Sequence, residues 1–254
     1  MRIGREKVCI NEELFEHTKN KITGIERQRQ GIGTLSEKTV HAVLKNYYAP
    51  DPDMHEIPIE NYVADIYTGQ EIIEIQTRSF DKMRKKLDTF LPLYPVTIVY
   101  PIPHIKWLSW IDEETGETSA KRKSPKTGNA YMAFPELYKI RPYLSDPHLH
   151  LKFALLDMEE YRLLNGWSRD RKKGSERYDR IPVKFAEEVC IDRREDYMQF
   201  VPYDLPEPFT AKEFAKHAKI QVRLAQTCLL ILTEQGIVSR VGKKGNSYLY
   251  EVKE

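Results

Sequence analysis

The spacing of apolar residues changes several times along the chain, and each change marks an element. Val40, Val43, Leu44 and Tyr47 recur at helical spacing, with Thr34 and Glu37 placed ahead of them as a capping box. APDPDM ends that helix, because successive Pro-containing dipeptides cannot continue its hydrogen-bond ladder. Two alternating runs follow, HEIPI and YVADIY, separated by Glu60 and Asn61 as in a tight hairpin. Thr68 and Gly69 mark the next turn, and EIIEIQT reads as a third strand. Ser79 is placed to cap a helix over FDKMRKKLDTFL, whose Phe80, Met83, Leu87 and Phe90 return at helical spacing. PVTIVYPI is a fourth strand, expected to end at Pro101. The predicted order is helix, three strands, helix, strand.

The middle of the chain is less regular. IKWLSWI has strand character, FPELYKI a short helix starting at Pro135, and LHLKFALLDMEEYRLL fits a strand running into either further strand or helix. NGWSRDRKKGSERYDRIP reads as a charged loop before IPVKFAEEVCI. The pattern changes again near Arg193. Thr210 and Glu213 form a second capping box, and Val222, Ala225, Leu229 and Leu232 share one side of a longer helix closed by Gly236. GIVSRVGKKGNSYLYEV then reads as strand, Gly-rich turn and strand. Helix, helix and a two-stranded wing predict a winged helix-turn-helix.

These patterns divide the chain into a polar N-terminal extension (1–33), a mixed α/β domain (34–192) and a winged-helix domain (193–254). With 254 residues and 41% hydrophobic content, the chain can bury a sizeable core. Charged residues make up 31% yet the net charge is only +2, so a nucleic-acid surface requires local segregation of charge. Three scattered cysteines predict neither a disulfide framework nor a zinc knuckle. The opening MRIGREKVCINEELFEH lacks the apolar core of a signal peptide, and no apolar run is long enough to span a bilayer. The expectation is a cytoplasmic protein without membrane contact.

The third strand carries two polar residues in an otherwise apolar run. Glu74 and Gln76 share one face, Ile73 and Ile75 the other. Pairing with YVADIY puts Asp65 opposite or diagonal to Glu74. Two facing carboxylates repel and are costly to bury unless a cation joins them, and an all-oxygen site suits Mg2+ or Mn2+. Such an ion activates water and stabilises charge on phosphate. The Gln76 amide can orient water or a phosphate oxygen, and Arg78, Lys82 and Lys86 bring positive charge nearby. Without an ion, the same residues read as solvated charges on a sheet edge and an amphipathic helix.

HEIPIENYVADI and IIEIQTRSF together resemble the core of the PD-(D/E)XK nucleases, and within them are most similar to the competence CoiA-like branch, where Gln stands in place of the motif Lys. The resemblance covers roughly residues 34–100. It implies a restriction-endonuclease-like mixed sheet flanked by helices. Asp65, Glu74 and the Ile75 carbonyl would be the metal ligands, Gln76 would occupy the Lys position, and Glu37 would be the acid on the first helix. Glu37 also has the capping role with Thr34.

Basic runs add to this reading. Lys121, Arg122 and Lys123, then Arg169, Arg171, Lys172 and Lys173, are discrete positive segments near Trp107, Trp110 and Trp167. Arg223 and Gln226 lie on the second helix of the C-terminal module, with Arg240, Lys243 and Lys244 around its wing. Guanidinium and amide groups can read base edges, while lysines mostly neutralise phosphate. The resulting expectation is a metal-dependent DNA endonuclease that binds DNA and dimerises through its C-terminal apolar seam. Two alternatives stand beside it: an inactive nuclease-like DNA-binding or regulatory protein, and a protein-interaction scaffold.

Overall fold

A computed structural model describes residues 10–28, 39–77, 79–112, 114–163 and 176–253. Helix α1 (Glu12–Gln28) is followed by α2 (Thr39–Tyr48) and by three strands, β1 (His55–Ile59), β2 (Tyr62–Tyr67) and β3 (Ile72–Ile75). A 3-10 turn over Phe80–Met83 runs into α3 (Arg84–Phe90), and β4 (Val96–Ile111) enters the sheet beside β3. Then come β5 (Arg122–Lys123), the short α4 (Phe134–Leu137), β6 (Leu149–Leu163) and β7 (Glu176–Ile191). The sheet order is β1-β2-β3-β4-β6-β7, with β5 added to the outer half of β4.

β1, β2 and β3 form an antiparallel meander, whereas β3–β4 and β4–β6 pair in parallel and β6–β7 antiparallel. The parallel centre explains the near-continuous Ile/Val/Leu runs there, since those strands are covered on both faces. On one face Val43, Leu44, Ile73, Ile75, Val99 and Phe185 pack with Phe15 of α1. On the other, Phe80, Leu87 and Phe90 cover Ile72, Ile98 and Phe153. The sheet is thus a middle layer between helices.

β4 departs from expectation by running through Pro101 and Pro103 rather than stopping there. The register supplies the reason. The Gln76 N–H bonds Val99 O and the Val96 N–H bonds His148 O, so odd-numbered β4 residues turn their backbone groups toward β3 and even-numbered ones toward β6. Pro101 and Pro103 therefore lack an N–H only on the side where β3 has already ended. The ambiguous LHLKFALLDMEEYRLL is one long strand, β6, paired along most of its length with β4 and β7.

Ser79 does not cap the helix. Its side chain makes no capping bond, and its hydroxyl accepts instead from Lys139 Nζ at 2.5 Å. The strict alternation expected of β2 also fails. Ala64 packs in the α3-side cluster while Ile66 packs in the α2-side cluster, so the pattern is interrupted at Asp65. Opposite this break Glu56 adopts φ +55°, an uncommon conformation for a side-chain-bearing residue. Lys45, 6% exposed on α2, holds the Glu56 carboxylate at 2.5 Å.

The C-terminal module comprises β8 (Phe209–Thr210), α5 (Ala211–His217), α6 (Val222–Glu234), β9 (Val238–Lys244) and β10 (Ser247–Val252), with strand order β8-β10-β9. Thr210 Oγ1 accepts from the Glu213 N–H, and Glu213 Oε2 takes the Thr210 N–H at 2.6 Å, completing the capping box. Gly236, at φ +65°, ends α6: its N–H reaches Thr233 O and the Ile237 N–H reaches Leu232 O, a Schellman closure. Ala225, Leu229 and Leu232 are buried as expected, but Val222 is exposed in the first turn. Leu229, Ile231 and Leu232 are buried against this chain's own core, so the seam that suggested dimerisation is occupied internally. Phe209 and Phe214 join the same core as Phe134 and Phe200, and α6 packs on α4.

Candidate active site

The β2–β3 ladder is regular at Ile66–Ile73 and Tyr67–Ile72, and one further step would place Asp65 opposite Glu74. There, side chains replace the backbone pairing. The Ile75 N–H donates to Asp65 Oδ2 at 2.8 Å, and the Asp65 N–H donates to Glu74 Oε1 at 3.3 Å. Each carboxylate holds the other strand, which brings the two acids into one pocket.

Glu74 is 3% exposed, and its charge is balanced by Lys86 from α3. Lys86 Nζ lies 2.9 Å from Oε1, 2.8 Å from Oε2 and 2.8 Å from Val63 O. Burial, aided by repulsion from Asp65, pushes the Glu74 carboxyl up to about 7 despite Lys86. Burial acts upward on Asp65 too. The His41 hydrogen bond and charge, the Ile75 N–H and the Lys86 charge outweigh it and hold Asp65 below its ordinary value. As pH falls, Glu74 is therefore the first of the pair to take up a proton.

His41 Nε2 stands 3.1 Å from Asp65 Oδ2 and was not anticipated from sequence. One signal was available: Glu37 and His41 are four apart, the spacing that puts two residues on one side of a helix. Gln76 directs its Nε2 to Ser79 O at 3.3 Å, so the amide braces the following turn. Among the described residues no group of three or more His, Cys, Asp and Glu is placed to hold a metal ion. The expected ligand Glu37 and the cation Arg78 lie outside the described residues, as do Arg169, Arg171, Lys172 and Lys173.

The remaining candidate contacts separate into three regions. Lys82 is exposed on the 3-10 turn, whereas Lys86 is turned inward to Glu74. Lys121, Arg122 and Lys123 are exposed beside the outer half of β4, with Lys121 paired to Glu159 at 2.5 Å. On the C-terminal module Arg223 and Gln226 are exposed on α6. Arg240 lies 4.5 Å and Lys243 5.0 Å from the Tyr248 ring centroid, while Lys244 is exposed at the wing tip. Other histidines are bonded elsewhere in the chain. His55 bonds Ala49 O, His104 bonds Asp157, and His148 bonds Leu91 O.

The class defined by this architecture is a mixed α/β protein whose sheet carries a paired acidic site at the end of its antiparallel half. The chain belongs to the family described as Domain of unknown function (DUF8091), whose pattern matches residues 38–192, from the start of α2 to the end of β7. It is similar to an uncharacterized protein of Treponema pallidum (strain Nichols), 26% identical over 221 residues that cover 86% of each chain. No solved structure matches it. Among the described residues no helix is long and apolar enough to cross a membrane.

Proposed function

We propose that the chain is a divalent-metal-dependent phosphodiesterase acting on DNA, with a restriction-endonuclease-like core and a winged-helix DNA-binding module. The observation that carries this reading is the crossed pairing of Asp65 and Glu74 where the β2–β3 ladder gives way. Support also comes from the order α2, three-stranded meander, α3, parallel strand, which agrees with the nuclease resemblance.

The residues present fit Mg2+ or Mn2+. The donors are carboxylate oxygens, and the pocket already holds a positive group, the Lys86 ammonium, against both oxygens of Glu74. Asp65, Glu74 and the Ile75 carbonyl would hold the ion. When bound, it supplies a water of lowered pKa and neutralises charge building on phosphate. Lys86, carried on α3 against Glu74, would supply a phosphate with the positive charge that Gln76 lacks. His41 holds Asp65 in its ionised, oriented form. The exposed Arg223, Gln226, Arg240, Lys243 and Lys244 contact DNA from the C-terminal module, with lysines on the backbone.

The bond from Gln76 to Ser79 O and the full occupation of Glu74 by Lys86 favour a second reading, a nuclease-shaped domain that binds DNA without cutting it. The discriminating experiment measures Mg2+- and Mn2+-dependent cleavage of single- and double-stranded DNA by wild type, Asp65→Asn and Glu74→Gln. The expected result is at least a hundredfold loss of cleavage, about 2.7 kcal/mol of transition-state stabilisation, with folding and DNA binding retained. Undiminished cleavage by both variants would exclude this pocket. Binding without cleavage in wild type would select the second reading.

A further inference from the structure

The outer halves of β4, β6 and β7 carry a cluster of charges unconnected with the basic runs of the sequence. Glu160, 1% exposed on β6, is surrounded by three cations. Lys106 Nζ lies at 3.1 Å, Arg180 Nε at 2.9 Å, and Arg162 donates through Nε at 2.9 Å and Nη2 at 2.6 Å. Arg177 pairs across the β6–β7 ladder with Arg162 and is exposed. A further acid on β7, Asp179, is bonded to Thr39 of α2. Among the described residues, Lys106, Arg162 and Arg180 thus bring three positive charges to the single Glu160 carboxylate. Lys106 registers that excess: burial, with repulsion from Arg180 and Arg162, keeps its ammonium below the ordinary value even though Glu160 touches it.

The position of the cluster connects it to the acidic site. Arg177 and Arg180 line a cleft with Val40, Thr77, Pro101, Met158 and the carboxylate of Asp179, which is engaged by Thr39. Val40 directly precedes His41, and Thr77 directly follows Gln76. The cleft therefore lies on the α2 side of the sheet with Ile73 and Ile75, the side from which His41 reaches Asp65, while Glu74 meets Lys86 on the α3 side. Glu160 fixes the Arg162 and Arg180 guanidinium groups before any ligand arrives, so little of their side-chain freedom remains to be lost on binding. Cations spread over adjacent strands, about 4.8 Å apart, suit a polymer of closely spaced anions better than a single small anion.

We propose that Lys106, Arg162, Arg177 and Arg180 form a phosphate track that grips the backbone of the nucleic-acid strand entering the acidic site. The proposal rests on the phosphodiesterase reading above. It assigns the substrate's approach to the outer sheet, apart from the C-terminal wing.

The test uses the full chain and fluorescent single-stranded and duplex DNA in EDTA, so that binding is read without cleavage. The variants are Arg162→Gln/Arg177→Gln and its charge-keeping counterpart Arg162→Lys/Arg177→Lys; Lys106 and Arg180 still neutralise Glu160 in both. The Gln pair should bind about tenfold or more weakly, with a log affinity–log salt slope shallower by about 1.5. The Lys pair should keep the wild-type slope. Arg177→Gln alone, which leaves every Glu160 contact intact, should reduce the slope by about half as much. Wild-type affinity and slope in a folded Gln pair would overturn the track. If those variants bind normally while Asp65→Asn abolishes cleavage, only the track fails. If they lose binding while Asp65→Asn cleaves normally, only the catalytic assignment fails.

Discussion

Asp65 and Glu74 bind crosswise: the carboxylate of Asp65 takes the N–H of Ile75, and that of Glu74 takes the N–H of Asp65. The two acids are thus part of the sheet's own hydrogen bonding. Their proximity is a property of the folded backbone, and substitutions here act on stability as well as chemistry.

Lys86→Met leaves Glu74 buried beside Asp65 with no ammonium. The expected cost is about 1 kcal/mol of folding stability at neutral pH, where Glu74 can take up a proton, and larger at higher pH, where it cannot, read by urea or guanidinium unfolding. A loss below about 0.5 kcal/mol would mean that the Lys86–Glu74 bond contributes little. Lys86→Arg keeps the charge and should recover part of the loss.

Acid sensitivity should trace to Glu160. Burial opposes its charge, but Arg180, Arg162 and Lys106 hold its carboxyl down to about 2, below the ordinary 4.5. Its stabilisation is fully present above the ordinary value and is lost as pH falls through that interval toward 2. The amount at stake is on the order of 3 kcal/mol. Denaturant midpoints between pH 5 and 2 should fall steeply for wild type and less steeply for Glu160→Gln. Parallel curves would remove Glu160 from the account.

Thr210→Ala removes the acceptor for the Glu213 N–H and frees the first turn of α5. About 1 kcal/mol of stability should be lost in thermal or chemical unfolding. Thr210→Ser, which keeps the hydroxyl, should stay within a few tenths of wild type.

Gly236→Ala requires φ near +65° from a residue with a Cβ, and that Cβ would collide with the Arg194 guanidinium, itself bonded to Gln235 O. The expected loss is about 1–2 kcal/mol. Combining it with Arg194→Ala removes the collision but not the backbone strain, so the two losses should be less than additive.

Much of this arrangement can be read from period and turn chemistry. The Glu60–Asn61 and Thr68–Gly69 turns bring Asp65 opposite or diagonal to Glu74, because a hairpin's register follows from its turns, while the break in β2 at Asp65 was not legible. The Thr210–Glu213 box and the Gly236 closure were equally legible, being local hydrogen-bond chemistry. What was hidden depended on distant partners. The length of β4 became intelligible only once β3 was known to end beside Pro101. Ser79 lost its cap to Lys139, sixty residues away, and His41 reaches Asp65 only because α2 lies over the seam. The Glu160 cluster joins three strands and leaves no mark on local composition.

The aromatic core that Phe134 and Phe200 share with Phe209 and Phe214 has a mechanical consequence. The Arg141–Glu234 ion pair and the Arg194–Gln235 bond clamp the same junction. The C-terminal module and the sheet that carries the acidic pair therefore share one continuous core. A DNA that met the contacts proposed for both would be held at two points whose spacing follows from that shared packing.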